Sequence, residues 1–324
     1  AAGSDRPNGV GPLDGAETPG SVTGLLEGQE LTLPAVEAGS EPIKIRCREV
    51  SQRNWSRVAI GDRLDGSGQV FLKQYVDGNG EWQRRHWEFE WQGSQLMGGI
   101  LKHGINVPAV LASSESGLVH AFEYRQMVSF DVLLRVDPQA FERLRPALLG
   151  GAREVMDSLR SGPSERDFPD LPIKDRPYGT TPTAWIFKGL DVRNLAVGTN
   201  PAGEAAEGLY MFDIGRPYFG PIEEAAAKLV ISIGLLNWGR PMSRFRLGPD
   251  LPLVDDALEA LRPFLDGDAL KMEIERESAF RLDTPQARNV VERVAKTVGI
   301  RALGGRYLRR LGERLRTGLP QASE

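Results

Sequence analysis

Large and polar side chains alternate along the first part of this chain and recur at helical spacing along the second, with the change of rhythm near Met127. Residues 43–50 (IKIRCREV), 56–62 (SRVAIGD) and 69–76 (QVFLKQYV) read as three strands, since they alternate or are rich in β-formers. Asp65-Gly66-Ser67-Gly68, between the last two, is hairpin chemistry because glycine supplies the positive φ that tight turns need. After a second turn at Asp77-Gly78-Asn79-Gly80, the pattern predicts a helix from Glu81 to His103, ended by Gly104 and by Pro108 beyond it. Residues 107–114 (VPAVLASS) and 118–127 (LVHAFEYRQM) bring the expected sheet to about five strands with one inserted helix. Residues 1–40 are rich in Gly, Pro and small polar side chains without periodicity, which predicts a flexible tail ahead of a first folded unit at 41–128.

From 129 to 324 the texture is mainly helical. Residues 141–160 (FERLRPALLGGAREVMDSLR) keep a helical period. Residues 221–238 (PIEEAAAKLVISIGLLNW) open with Pro221 in a first-turn position, and Glu223 and Glu224 suit the positive end of a helix dipole. In 284–298 (TPQARNVVERVAKTV), Thr284 is a good N-cap with Pro285 after it. Two short extended runs, 194–198 (NLAVG) and 208–215 (GLYMFDIG), fall between the first two helices. The proline-rich stretch 161–183 is expected to be a long ordered loop, over a cleft or on a partner surface. Residues 301–316 carry six arginines around an apolar stripe of Leu303, Tyr307, Leu308, Leu311 and Leu315. Such a basic amphipathic helix either lies on an anionic membrane as a peripheral contact or packs onto its own domain, and the second use is expected here. Trp82, Trp87, Phe89 and Trp91 are expected to cover the sheet.

Composition narrows the partners. With 324 residues, 40% hydrophobic and 26% charged, the chain can bury the core of one two-lobed domain or of two ordinary ones. A net charge of −4 argues against a nucleic-acid footprint and leaves small molecules or proteins. Cys47 is the single cysteine, and His86, His103 and His120 are scattered, so neither a disulfide nor a metal-ligand spacing is present in the sequence. No run approaches the roughly 18 to 20 apolar residues of a transmembrane segment, and no signal-peptide core opens the chain, so the expected compartment is cytoplasmic.

Candidate chemistry comes from four residues in order: Lys73 on a strand, a glutamate on the following helix, Asn194 in a loop, and Asp213 at a strand end. VFLKQY resembles the third strand of a protein kinase, with Lys73 in place of the lysine that holds the α- and β-phosphates. Strand alternation puts Lys73 on one face with Phe71 and Tyr75. Glu88 and Glu90 are both at a suitable distance to orient that lysine, and a helical wheel favours Glu90, which lies near the angle of Met97 and Leu101. IFKGLDVRNLAV resembles the H-G-D-L-x-x-x-N-I-L-V catalytic loop of small-molecule and lipopolysaccharide-type kinases through Leu190, Asn194, Leu195 and Val197. YMFDIGRPY is similar to the metal-binding D-F-G segment, with Asp213-Ile214-Gly215 in its place. The resemblance implies an α+β, two-lobed protein-kinase-like fold with a strand-rich N-lobe and a mainly helical C-lobe. It also implies ATP in the inter-lobe cleft and magnesium on Asn194 and Asp213.

The departures carry as much weight. Five residues before Asn194, where these families keep the catalytic aspartate, stands Gly189. Asp191 stands where many protein kinases place a lysine, and would have to act as a displaced base if the protein is active. The turn between the first two predicted strands, Ser51 to Trp55, contains no glycine to wrap phosphates, which leaves Arg53 as a candidate phosphate contact. Only about eight residues separate Asp213 from the helix expected to start near Pro221, too few for a peptide-docking activation segment. Two readings stay open. One is a pseudokinase that binds nucleotide and acts through a protein partner, and the other is an atypical phosphotransferase acting on a sugar, glycan or lipid-linked hydroxyl.

Overall fold

The computed structural model describes residues 24–53, 56–76, 80–101, 104–163, 171, 183–199, 205–236, 251–264, 267–283 and 305–318. The expected helix at 284–298 and nearly all of the proline-rich stretch 164–182 lie outside the described residues.

The N-terminal lobe is a six-stranded antiparallel sheet. It consists of β1 (Glu30–Leu33), β2 (Ile43–Gln52), β3 (Ser56–Arg63), β4 (Gln69–Tyr75), β6 (Val110–Ser114) and β7 (Val119–Glu123), in the order β1-β2-β3-β4-β7-β6. The alternation read in the sequence is the alternation of burial: Ile43, Ile45 and Cys47 point inward on β2, and Val70 and Leu72 on β4. β1 corrects the expectation of a tail through residue 40. It pairs with β2 from Glu30↔Arg46 to Leu33↔Ile43, and Leu25, Leu31 and Leu33 are buried in the lobe's core. The chain then runs on to the far edge, where Ala35 bridges Ala112, Val36 N–H donates to the Leu111 carbonyl (3.0 Å) and Ser113 N–H to that of Pro34 (3.0 Å). The sheet therefore curls until its first and last strands meet, which satisfies backbone groups that an open edge would leave bare.

One helix, α1 (Gly80–Ile100), packs on this sheet. Trp87 stacks on His120 of β7, with ring centroids 5.1 Å apart and planes within 8°. Both His120 nitrogens are committed: Nε2 faces the Trp87 carbonyl at 2.9 Å and Nδ1 the Ser113 hydroxyl at 2.9 Å. The carbonyl can only accept, so Nε2 carries the proton and Nδ1 accepts from Ser113. Burial lowers the His120 pKa from 6.5 to about 4. A folded pKa below the unfolded one means that the unfolded chain binds the proton first. Stability from this group is therefore complete above pH 6.5 and is lost progressively from there down to about pH 4. Urea unfolding of the parent should lose up to about 3 kcal/mol across that window, a dependence that His120→Gln should flatten. Equal pH slopes in the two proteins would remove His120 as its cause.

A linker strand, β8 (Met127–Ser129), leads to the C-terminal lobe. This lobe contains the helices α2 (Phe130–Val136), α3 (Pro138–Arg160), α4 (Ile222–Gly234), α5 (Leu251–Leu261), α6 (Gly267–Asp283) and α7 (Gly305–Gly318). Twelve of the thirteen α4 residues are buried, the pattern of a helix enclosed on all sides, and α4 forms the axis against which α3, α5 and α6 pack. α7 uses its apolar stripe internally, with Leu308, Leu311 and Leu315 buried, Arg314 paired to Asp255 (2.6 Å) and Arg316 to Glu275 (3.4 Å). That packing is the use expected of this helix, and Leu303 of the stripe lies outside the described residues. Among the described residues no helix is long and apolar enough to cross a membrane.

Two small ladders meet at the lobe boundary. β5 (Ile105–Asn106), β11 (Ala205–Met211), β10 (Leu195–Thr199) and β8 form one. β9 (Thr183–Phe187) and β12 (Pro217–Pro221) form the other, in register from Thr183↔Pro221 to Phe187↔Pro217. A curled antiparallel sheet with one helix, joined to a mainly helical lobe that carries short strands at the boundary, is the two-lobed α+β protein-kinase-like fold.

Candidate nucleotide site

Lys73 reaches the cleft because β4 places it on the face opposite Val70 and Leu72, which fill the lobe's core. Its Nζ lies 2.6 Å from Asp213 Oδ1 and 3.2 Å from Glu90 Oε2. Burial works against the Lys73 charge, yet the two carboxylates outweigh it and hold its pKa well above the ordinary lysine value. Of the two candidate glutamates, the structure brings in Glu90, which is buried. Glu88 is half-exposed and makes no hydrogen bond or ion pair among the described residues. Burial raises the Glu90 pKa above the usual carboxylate value, partly offset by Lys73.

Asp213 follows β11 with a positive φ of 54°, an unusual backbone for a residue with a side chain. Its side chain opens onto the cleft with 56% of its area accessible. The Lys73 charge holds its pKa below the ordinary value, and Lys188 adds to that effect. Asn194 ends a single 3₁₀ turn, Val192–Asn194, and its carbonyl accepts from Phe212 N–H (3.1 Å), which ties the loop to the residue just before Asp213. The Asn194 side-chain nitrogen donates to the Gly189 carbonyl (2.8 Å), so its amide oxygen remains for a cation. One amide oxygen and one carboxylate are hard ligands of the kind magnesium takes. Among the described residues, no group of three or more His, Cys, Asp or Glu could hold a metal alone. An ion at Asn194 and Asp213 would therefore need further oxygen ligands from water or a bound molecule.

Gly189 is not merely a residue without a base. Gly189 N–H donates to the Ile214 carbonyl (2.8 Å) and Lys188 N–H to that of Arg216 (2.9 Å), extending the β9–β12 ladder directly across the Asp213–Gly215 backbone. A Cβ placed on Gly189 would lie 1.8 Å from the Asp213 carbonyl oxygen and 2.8 Å from that of Ile214. The same segment is clamped from above by α1, where a Cβ on Gly93 would lie 2.2 Å from the Gly215 oxygen. The Arg216 guanidinium also sits 4.6 Å from the centre of the Phe89 ring. Glycines at 93 and 189 thus allow the Asp-Ile-Gly backbone to be held between the two lobes.

Asp191 is not the free carboxylate that a displaced base would be. It is buried, caps the 3₁₀ turn, and accepts at Oδ1 from the Arg193 backbone N–H (2.9 Å) and Nε (2.9 Å) and at Oδ2 from an Arg193 terminal nitrogen (2.6 Å). The pair also raises the Arg193 pKa, chiefly through these hydrogen bonds. Arg53 stands exposed at the end of β2, with its backbone N–H bonded to the Ser56 carbonyl (2.7 Å). No described interaction joins it to Lys73 or Asp213. One residue of the site was placed correctly by strand alternation but given no role: Tyr75, whose hydroxyl donates to Glu90 Oε2 at 3.2 Å.

No protein-family model and no curated protein sequence matches the chain. Solved structures similar to it include a choline/ethanolamine kinase family protein from Mesorhizobium loti, with 10% identity and a TM-score of 0.45, covering 84% of this chain and 92% of that one. An aminoglycoside phosphotransferase from Streptomyces rimosus, solved with ADP and streptomycin, shows 16% identity and a TM-score of 0.42 over 66% and 87% of the two chains. A spectinomycin phosphotransferase, solved with ADP and spectinomycin, shows 11% identity and a TM-score of 0.44 over 86% and 94%.

Proposed function

We propose that the inter-lobe cleft binds ATP with magnesium and that the protein is a pseudokinase, acting through a partner whose binding responds to the nucleotide. The observation that carries this reading is the state of two positions 24 residues apart in sequence. Asp213, Lys73 and Glu90 form a joined set of charges, while Gly189 has backbone where an acceptor's base would project. Lys73 supplies a cation for the phosphates, Glu90 holds it in place, and Asp213 with the Asn194 amide oxygen offers oxygen ligands to magnesium, which would neutralise phosphate charge. Among the described residues nothing equivalent serves an acceptor hydroxyl. General-base positioning is worth about 10² to 10⁴ in rate, and here both candidate positions fail, one for want of space and one because Arg193 occupies its carboxylate.

Thermal unfolding with ATP, with and without magnesium, tests the binding half. A ligand present at one hundred times its Kd stabilises the native state by about 2.7 kcal/mol, and Lys73→Ala and Asp213→Ala should each remove most of that gain. Undiminished stabilisation of both variants would move the nucleotide elsewhere. Turnover of ATP over a panel of sugar and lipid-linked hydroxyl acceptors tests the other half. Robust turnover by the parent that Asp191→Asn abolishes would replace the pseudokinase reading with that of an active phosphotransferase.

A further inference from the structure

We propose that Tyr75 is a positioning residue of the nucleotide site: its hydroxyl fixes Glu90 so that Lys73 stays presented to phosphates after Asp213 has been drawn to other ligands. The inference rests on the nucleotide reading above and adds a member to its machinery. Glu90 Oε2 accepts two hydrogen bonds, from Lys73 Nζ and from the Tyr75 hydroxyl, each at 3.2 Å. The Lys73 ammonium also lies 5.4 Å from the centre of the Tyr75 ring, so lysine, ring and carboxylate form one closed cluster. Both donors come from β4, two residues apart on one face, and the acceptor comes from α1. The cluster is dry: Glu90 and Tyr75 are 4% and 6% exposed.

The division of labour follows from the distances. Lys73 is held more closely by Asp213 (2.6 Å) than by Glu90 (3.2 Å), so Glu90 is the weaker of its two anchors. If a bound nucleotide engages Asp213, the shorter contact is lost and Glu90 alone must hold the lysine. A buried carboxylate with a single mobile partner can turn with that partner. One that also accepts from a hydroxyl on a packed ring cannot, because turning would leave a buried oxygen unpaired. His86 closes the cluster on the helix side, its ring centroid 6.3 Å from that of Tyr75, and adds no carboxylate to compete for the hydroxyl.

Tyr75→Phe removes one oxygen atom and keeps the ring. In the parent background it should weaken Mg·ATP binding, read by calorimetry, about tenfold, the scale of a lost hydrogen bond to a charged group. If Tyr75 acts through Glu90, the same substitution made in Glu90→Ala should cost less than about twofold, since no carboxylate is left to position. Glu90→Gln provides an isosteric second background, where the loss should be intermediate because a neutral amide oxygen still accepts. A thermal-unfolding cycle of the same variants without nucleotide should show the same non-additivity. It judges the Tyr75–Glu90 coupling even if the parent proves not to bind ATP, an outcome that would remove the nucleotide reading by itself. Equal losses from Tyr75→Phe in all backgrounds would make it an ordinary core residue and overturn the proposal, as would a Tyr75→Phe protein that binds Mg·ATP as the parent does.

Discussion

Gly189→Asp is expected to unfold the lobe boundary rather than restore a catalytic base. The new Cβ would lie 1.8 Å from the Asp213 carbonyl oxygen, a backbone atom that cannot swing aside as a side-chain tip can. Relief requires the Asp213–Gly215 segment to move, but α1 holds it at Gly93 and the β9–β12 ladder holds it at Ile214 and Arg216. Even Gly189→Ala should cost 3 kcal/mol or more, at or beyond the roughly 1–3 kcal/mol of ordinary overpacking, because the clash is with main chain. Displacing Asp213 also breaks its 2.6 Å contact with Lys73, so any variant that folds should lose nucleotide-dependent stabilisation. Gly98→Ala is the matched control. Gly98 is exposed on α1 with open space around its missing Cβ, and alanine there should stabilise by up to about 1 kcal/mol. Denaturant unfolding of the three proteins decides the matter. A Gly189→Asp protein as stable as the parent and newly able to turn over ATP would mean that the loop is only a damaged catalytic loop.

The second large effect is expected from residues 24–40. Leu33 is fully buried, Leu25 is 1% exposed and Leu31 5%, so these side chains fill the interior of the curled sheet. Leu33→Ala should cost about 3–5 kcal/mol, the transfer free energy of the missing atoms plus the cavity left behind. A chain starting at Glu41 loses all three leucines, the β1–β2 pairing and the bonds that join Pro34 and Val36 to β6. Against a typical total of about 5–15 kcal/mol, the N-terminal lobe of that chain should have no cooperative transition by near-UV circular dichroism. A sharp transition at the parent temperature in the shortened chain would show that residues 24–40 are dispensable cladding.

Period and local chemistry were enough to place β2, β3, β4, β6, β7 and α1, because each announces itself within its own residues by alternation, turn glycines or helical spacing. The same local rules put Lys73 on the cleft face and preferred Glu90 to Glu88, since the angle around a helix axis depends only on position along it. β1 was missed because four residues, ELTL, amid glycine and proline carry too little pattern, and its pairing is set by β2 and by the far edge strand. Asp191 reads as an available acid until its neighbours are seen, since nothing in LDVRN says that Arg193 folds back onto it. Gly189 is the clearest division. Its identity, and so the absence of a base, is written in the chain. The reason that no side chain can stand there is not, because the volume is taken by the carbonyls of residues 213 and 214, brought across by a strand pairing with its own long-range register. Sequence determined which groups are available to the cleft. Tertiary structure decided which of them have room, which are already engaged, and that Tyr75 and Lys73 share one carboxylate, because contact and excluded volume depend on chain segments that local pattern does not encode.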